Sequence, residues 1–563
     1  MIQPHYLRIS SLFQGRLFRI PDFQRMYSWE KRQRRDLFDD IMLAEQKDRE
    51  HFLATIVCLH RGEKTIGSDP FEVYDVVDGQ QRLTTIVTLL KAIEKDLARN
   101  NDAESKGLQE WLVKQKSDTE LLLQTNHDNA DLFGEYLRTG KAPAESHIAT
   151  DGDRRLQEAI NECEQFVSEW KGLGKNSEDL LALIKRKLTV VFYAFEDEAS
   201  VYNVFEVLNS RGIPVDWLDK TKSMLMGVAY ERYDPSIREE KIRNLKEIWG
   251  DVYRELAKEA VPGHEVVRFA ATLKDPTIHS KPLSASDAFD QLKVEAERHQ
   301  GAERDVSALI RDVVKATVSL YDDPRLAAVT TIAHARLLAV AIELSQAFTE
   351  SEKRALLSEW ERVSFFLFGL HRKDARTAVG DFTRTAQQVF LRQLTTVPHV
   401  KAAFDEITDG YTIETAIEEL KASRDSYTSW SEELRYLLYK YEQHLCVQNG
   451  EELDEATWAK IWSRSPTKSV EHILPQDPGD EWKGKLGHGQ RADRHVHRLG
   501  NLALLPPGVN SHLSNKGFKE KRLEYRNQPL RHVREVAQYR DWSTSKITER
   551  EEALFEWIRK EWG

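Results

Sequence analysis

Cysteine is scarce: Cys58, Cys163 and Cys446 are the only three in 563 residues, far apart and without ligand spacing. That argues against a disulfide framework, fits a reducing compartment, and leaves no paired CxxC zinc knuckles to brace a small fold. Long apolar runs are missing as well. The longest, at 337–342 and 363–370, fall well short of the roughly 20 residues that span a bilayer. The opening Met-Ile-Gln-Pro-His starts no signal peptide, so a cytoplasmic protein without a membrane partner is expected. No fixed-period repeat supports a solenoid. No Walker A loop is present, because Gly172-Leu-Gly-Lys-Asn lacks both the spacing and the final Ser or Thr. Positive charge is in deficit overall, with 81 Lys and Arg against 92 Asp and Glu, a formal net charge of -11.

What is there describes a folded chain. Hydrophobic residues make up 40% and charged residues 31%, and the length is too great for a single core. The acidic average hides a local reversal. Between Arg464 and Arg540 fifteen Lys and Arg stand against eight Asp and Glu, a footprint suited to salt-sensitive nucleic-acid binding or simply to a solvated helical face.

The first hundred residues read as α/β. Leu37, Ile41 and Ala44 recur at helical spacing within 35–44, residues 51–59 are rich in β-formers, and residues 71–77 alternate as a strand does. Asp78-Gly79-Gln80-Gln81-Arg82 follows, and then a helix with Leu83, Ile86, Leu90, Ile93 and Leu97 on one face. A strand, a Gly turn and a helix start aim backbone N–H groups at an anion. Arg82 in the first helical turn opposes the helix dipole unless an anion offsets it, whereas the alternative is an ordinary turn capped by Asp78. Residues 188–195 form a further strand and 200–208 a helix, after which the turn at 209–214 brings Asn209 and Arg211 towards one pocket. From about 223 to 445 the pattern is helical, with Trp360, Phe365, Phe366 and Phe368 better suited to helix packing than to base stacking.

Near the C-terminus Val470, Ile473 and Leu474 anchor a short strand that Pro475 ends, which leaves Glu471 and His472 on opposite faces. Residues 501–505 give a second apolar strand. Pro506, Pro507 and Gly508 break the chain before a polar helix beginning near Asn510.

Two β elements and a helix carrying His, Asn and Asn in that order resemble the ββα-metal (HNH) nucleases. The resemblance implies that His472 is the general base, that Glu471 and Asn510 ligate a divalent metal (Mg2+ or Mn2+), and that Asn501 holds the loop aiming His472. Asn515 and Lys521 match positions of that family's final helix, with Lys521 near a phosphate. Glu471 stands where Asp or His is usual, and Asn510 where the last His is usual. At the other end, Ile-Pro-Asp-Phe-Gln24-Arg25-x-Tyr27-x-Trp29, Asp-Gly-Gln-Gln-Arg-Leu-Thr and Phe205-Glu-Val-Leu-Asn209-Ser-Arg211-Gly212-Ile-Pro214, followed by Asp219 and Lys222, look like the N-terminal domain of GmrSD-type restriction proteins. That resemblance covers roughly residues 10–230. It implies a fold similar to ParB/sulfiredoxin and ties Asp78, Gly79, Gln80, Gln81 and Arg82, with Gln24, Arg25, Asn209 and Arg211, to nucleoside triphosphate binding and hydrolysis, the base being unsettled.

The expectation is an α+β multidomain chain: a ParB/sulfiredoxin-like α/β domain over 1–222, a mainly α-helical middle over 223–450 and a ββα-metal nuclease over 451–563. Taken together the resemblances imply a nucleotide-dependent DNA endonuclease of antiphage defence acting on modified phage or foreign DNA, with homo-oligomer formation left open. A non-catalytic reader of DNA modification with a remnant nuclease motif, and a nuclease acting on RNA, are the alternatives.

Overall fold

The β-rich run at 51–59 and the alternation at 71–77 fold as the two arms of one hairpin, each extended towards the turn beyond what its pattern marks. The computed structural model describes residues 4–563 apart from 22–23, 115–119, 126–129, 145–146, 149, 197–215, 260, 429, 464 and 483–493. The expected helix at 200–208, with Asn209 and Arg211 just after it, lies outside the described residues. By internal contacts the chain divides into two compact units, residues 1–271 with 283–318, and residues 272–282 with 319–563.

In the first unit the strands of the main sheet are β1 (His5–Arg8), β2 (Arg16–Ile20), β3 (His51–Ile66), β4 (Asp69–Asp78), β5 (Leu123–Thr125) and β6 (Leu188–Phe195). They form one mixed sheet in the order β1-β6-β3-β4-β2-β5. The hairpin β3–β4 is antiparallel, with Val57 opposite Asp78. β6 runs parallel to β3, and β2 parallel to β4. Helices α1 (Lys31–Lys47), α2 (Gln80–Asn100), α3 (Asp151–Gly172), α4 (Trp217–Arg232) and α5 (Pro235–Leu256) belong to the same unit. The apolar face read for α2 is buried throughout. Val87 and Leu89 on its other sides are buried too, as a helix at the centre of a core requires. Phe38 of α1 stacks on Phe166 of α3 at 4.5 Å. Cys58 and Cys163 are buried thiols in this unit, as Cys446 is in the other.

The second unit is largely helical. Trp360, Phe365, Phe366 and Phe368 are all buried in it, as packing residues should be. Residues Phe365–Leu370 widen into a π turn, and Trp430 donates its indole N–H to the Gly369 carbonyl at 2.9 Å, which supplies a partner where the ladder changes register. Helix α6 (Ser431–Asn449) leads towards the C-terminal motif. There β7 (Val470–His472) pairs antiparallel with β8 (Leu502–Leu504), His472 opposite Leu502. Helices α7 (Pro507–Leu513), α8 (Phe518–Asn527) and α9 (Thr544–Trp562) follow. The helix expected near Asn510 starts three residues earlier because Pro507 fits the first helical turn, where its missing N–H costs nothing. Among the described residues no helix is long and apolar enough to cross a membrane.

Gly500 explains itself by proximity. A Cβ there would sit 2.0 Å from the Ile547 carbonyl oxygen and 2.8 Å from Glu551 Cβ, so α9 can lie against this turn only if residue 500 has no side chain. Gly500→Ala is expected to lose about 3 kcal/mol of stability, since backbone must move to admit the methyl. Urea unfolding at constant m-value measures this, and an unchanged midpoint would refute it.

Candidate functional site

At the C-terminal motif, strand alternation places Glu471 and His472 on opposite faces of β7, and the two surroundings differ sharply. His472 is 7% exposed. Its Nε2 lies 3.2 Å from His497 Nδ1, and the Gln476 amide nitrogen lies 3.2 Å from its Nδ1. The Tyr427 ring meets His472 edge-on at 4.5 Å and stacks on His497 at 5.2 Å. The backbone N–H groups of Tyr427 and Thr428 both donate to the Asp425 carboxylate. Burial, with His497 and Lys521 nearby, pulls the His472 imidazole down to about 3, and Asp425 opposes this only in part. The ring is therefore neutral at pH 7, with its basicity lowered by that burial.

Asn501 is fully buried and uses its whole amide. Its Oδ1 accepts from Leu474 N at 2.8 Å and from Trp542 Nε1 at 3.0 Å. Its Nδ2 donates to the Leu474 and Val496 carbonyls, each at 2.9 Å. One side chain thus ties the segment leaving His472 to the one arriving from His497. Arg550 braces the same turn by donating to the Gly500 and Leu502 carbonyls.

The other face of β7 holds a buried ion pair. Lys521 donates to Glu471 Oε1 and to the His472 carbonyl, both at 2.7 Å, and Tyr525 donates to the same Glu471 oxygen at 2.6 Å. The lysine side chain is 0% exposed and the glutamate 3%. The carboxylate expected at a metal is thus the counter-ion of Lys521, and the lysine expected at a phosphate is inside the core. Asn510 donates its amide to the Lys468 and Val470 carbonyls at 3.0 Å, fastening α7 to the strand. Asn515 is exposed in the turn between α7 and α8. Glu471 Oε1 and the Asn510 amide nitrogen are thus both engaged by other groups of the protein. Among the described residues no group of three or more His, Cys, Asp or Glu side chains could hold a metal ion. Part of the local basic excess is neutralised within the chain: Arg498 pairs with Glu551 in a half-buried contact, and Arg531 with Glu451 at the surface.

Sequence reasoning passed over Tyr525, which stands four residues after Lys521 and so on the same helical face. Gln476 and the pair Asp425 and Tyr427 carried no comparable signal, since the fold alone brings them to His472.

In the first unit, Gly79 takes the cap position of α2 with φ 92°, a left-handed conformation that favours glycine, and no side chain caps the helix. Asp78 is thus not the helix cap that the plain-turn reading required. Arg82 lies 5.7 Å from the Trp29 ring centre. Burial lowers its basicity, while Asp78 and Asp40 pull the other way. Aromatic face and carboxylates are what answer the positive charge at this helix start. Gln81 is occupied by the neighbouring loop, accepting from Ser28 N at 2.9 Å and donating to Met26 O at 3.1 Å. Gln24 donates to Val77 O at 3.3 Å, and Gln80 is buried. Arg25 Nε lies 3.6 Å from Asp219 Oδ2. Burial works against the Arg25 charge, but Asp219 and Asp216 outweigh it and raise the pKa. Lys222, one turn beyond Asp219, is pushed down to about 8 by burial. The loop at 24–29, the turn at 78–82 and the start of α4 therefore form one buried, charge-dense region.

A mixed sheet with a charged helix-start site, and a helical unit ending in a two-strand, helix-flanked histidine site, make up the two units of the chain. Residues 9–226 match the GmrSD restriction endonuclease N-terminal domain, and residues 411–557 match the GmrSD restriction endonuclease C-terminal domain. The chain belongs to the GmrSD-type restriction endonucleases and carries both domains on one polypeptide. Among curated proteins none matches it. Asp78–Arg82 fall in the first match, and His472, Asn501 and Lys521 in the second.

Proposed function

We propose that the chain is a nucleotide-dependent DNA endonuclease of antiphage defence that acts in the cytoplasm on modified foreign DNA. A restriction endonuclease acts on DNA, and the family membership supports that much directly. The observation that carries the finer reading is the Asn501 clamp. It fixes the exit of β7 so that a neutral His472 is held at the strand end, beside a second strand and a following helix, in the manner of a ββα nuclease. In that role His472 takes the proton of the attacking water, and Asn501 positions it. The region around Asp78–Arg82, with Gln24 and Arg25, is the nucleotide site of the proposal. Mg2+ or Mn2+ is proposed as a requirement for cleavage, with donors other than the Glu471 carboxylate in the conformation described.

The buried Glu471–Lys521 pair favours a second reading, a reader or regulator of DNA modification whose nuclease motif no longer cuts. One experiment separates the readings. Modified plasmid, unmodified plasmid and RNA are each incubated with purified protein and Mg2+ or Mn2+, across a range of nucleoside triphosphate concentrations. Metal- and nucleotide-dependent cutting confined to modified plasmid is expected. Nucleotide-sensitive DNA binding without any cutting would establish the reader instead, and cutting of RNA alone would redirect the substrate.

A further inference from the structure

Asn501 fixes the backbone that leaves His472. An imidazole on a fixed backbone still turns about its own side-chain bonds and exchanges its hydrogen between two ring nitrogens. A base that receives a proton at one nitrogen needs a further contact to select that nitrogen and hold the ring. The surroundings of His472 supply one in the His497 ring.

The contacts assign the hydrogens. The Gln476 amide nitrogen, which only donates, lies 3.2 Å from His472 Nδ1 and 3.5 Å from Nε2, so Nδ1 is the nearer acceptor. A neutral ring that accepts at Nδ1 carries its hydrogen at Nε2. His472 Nε2 faces His497 Nδ1 at 3.2 Å, so that nitrogen accepts and His497 in turn carries its hydrogen at its own Nε2. Each contact of His472 then joins a donor to an acceptor. The reverse tautomer would set an Nδ1–H against the Gln476 amide, donor against donor.

His497 is itself well held. The carbonyl of Val496, the residue before it, accepts from Asn501 Nδ2 at 2.9 Å. Its own carbonyl accepts from Ser426 N at 2.9 Å. Its ring lies nearly parallel to that of Tyr427, with 7° between the planes. Because Asn501 also bonds the Leu474 carbonyl and N–H, one side chain sets the spacing of the two histidines. Gln476, by contrast, is exposed, and its amide occupies the lone pair that an incoming water would take.

We propose that His497 is a positioning residue for phosphodiester cleavage. It accepts the Nε2 hydrogen of His472 and leaves Nδ1 to take a proton from the attacking water, in the place held here by the Gln476 amide. The water O–H bond breaks as an N–H bond forms at Nδ1, and the water oxygen bonds to phosphorus. The sugar oxygen leaves with the electron pair of its P–O bond and takes a proton from solvent, to which the imidazolium returns its own. The proposal rests on the nuclease reading with His472 as base and adds to it the residue that selects the reacting nitrogen.

The test uses the full chain carrying nitrogen-labelled histidine, with modified and unmodified plasmid and Mg2+ or Mn2+. Nitrogen NMR shifts tell an Nε2–H ring from an Nδ1–H ring, and the His472 signals are identified by their loss in His472→Gln. Wild-type His472 is expected as the Nε2–H tautomer. His497→Phe keeps a ring to stack on Tyr427 and removes the acceptor. It should lower kcat about 10²-fold with KM within about twofold, and His472 should no longer hold a single tautomer. His497→Asn offers an amide oxygen near the Nδ1 position and should recover most of the rate. If the Phe variant does not fold, Tyr427→Leu loosens the same ring and should slow kcat by up to about tenfold. An Nδ1–H tautomer at His472 in the wild type, equal rates for the Phe and Asn variants, or a loss carried by KM would overturn the positioning role. A wild type that cuts neither plasmid while His472 is the Nε2–H tautomer would overturn the nuclease reading, a separate failure.

Discussion

His472→Ala protein is expected to fold and to bind nucleotide as the wild type does while cleaving modified DNA about 10²–10⁴-fold more slowly, the usual contribution of a positioned base. The wild type should also show an unusual pH dependence. An ordinary imidazole loses its capacity as a base as pH falls through about 6.5. His472 is held neutral down to about 3 by burial beside His497 and Lys521. The acid limb of kcat/KM for the free enzyme should therefore lie well below the ordinary histidine range, with activity kept above it and lost on further acidification. Undiminished nicking by a folded His472→Ala protein would remove the residue from the chemistry. An acid limb near 6.5 would assign the titration to another group. The same shift bears on stability. Below about 6.5 the unfolded chain takes up a proton that the native site refuses, so stability present above that pH falls by up to about 1.4 kcal/mol per unit as the pH drops towards 3.

Lys521→Met should destabilise the second unit by about 3–5 kcal/mol, the usual penalty for stranding one partner of a buried pair. Burial pushes the Glu471 carboxyl up and the Lys521 ammonium down, so their mutual attraction offsets only part of the desolvation. That balance makes a second result follow. Replacing both residues, as Glu471→Leu/Lys521→Met, should restore most of the loss, because an apolar pair of similar volume carries no desolvation cost. Chemical denaturation of the four proteins of the cycle gives the coupling directly. Salt dependence of DNA binding gives the competing outcome. If Lys521→Met is as stable as wild type and its binding slope against salt falls by about one, the lysine meets a phosphate and the buried pair is not its working state.

How much of this could be read without coordinates differs between the two ends. Local pattern located the helix that follows Asp78–Arg82 and strands at 51–59, 71–77 and 188–195, because β-former content, alternation and 3.6-residue spacing act locally. The extensions to 66 and 69 at the hairpin turn came only with the fold. The opposite faces of Glu471 and His472 were equally legible, since a strand forces that alternation. Asn501 and Lys521 could be picked out by their place in a motif, but their work could not. Asn501 joins two segments whose separation in sequence says nothing of their distance in space, and Lys521 turns inward because the far side of β7 offers Glu471 and Tyr525 a dry interior.

The amino-acid sequence by itself carried the resemblance to the family through its ordered motifs, and its local pattern carried the α+β class and the packing role of the aromatics at 360–368. Only the tertiary structure decided which charges meet: Arg25 with Asp219, Arg82 with Trp29, His472 with His497, and Glu471 with Lys521. Such pairings depend on long-range closure of the chain, and the protonation of each group follows from the burial that closure creates.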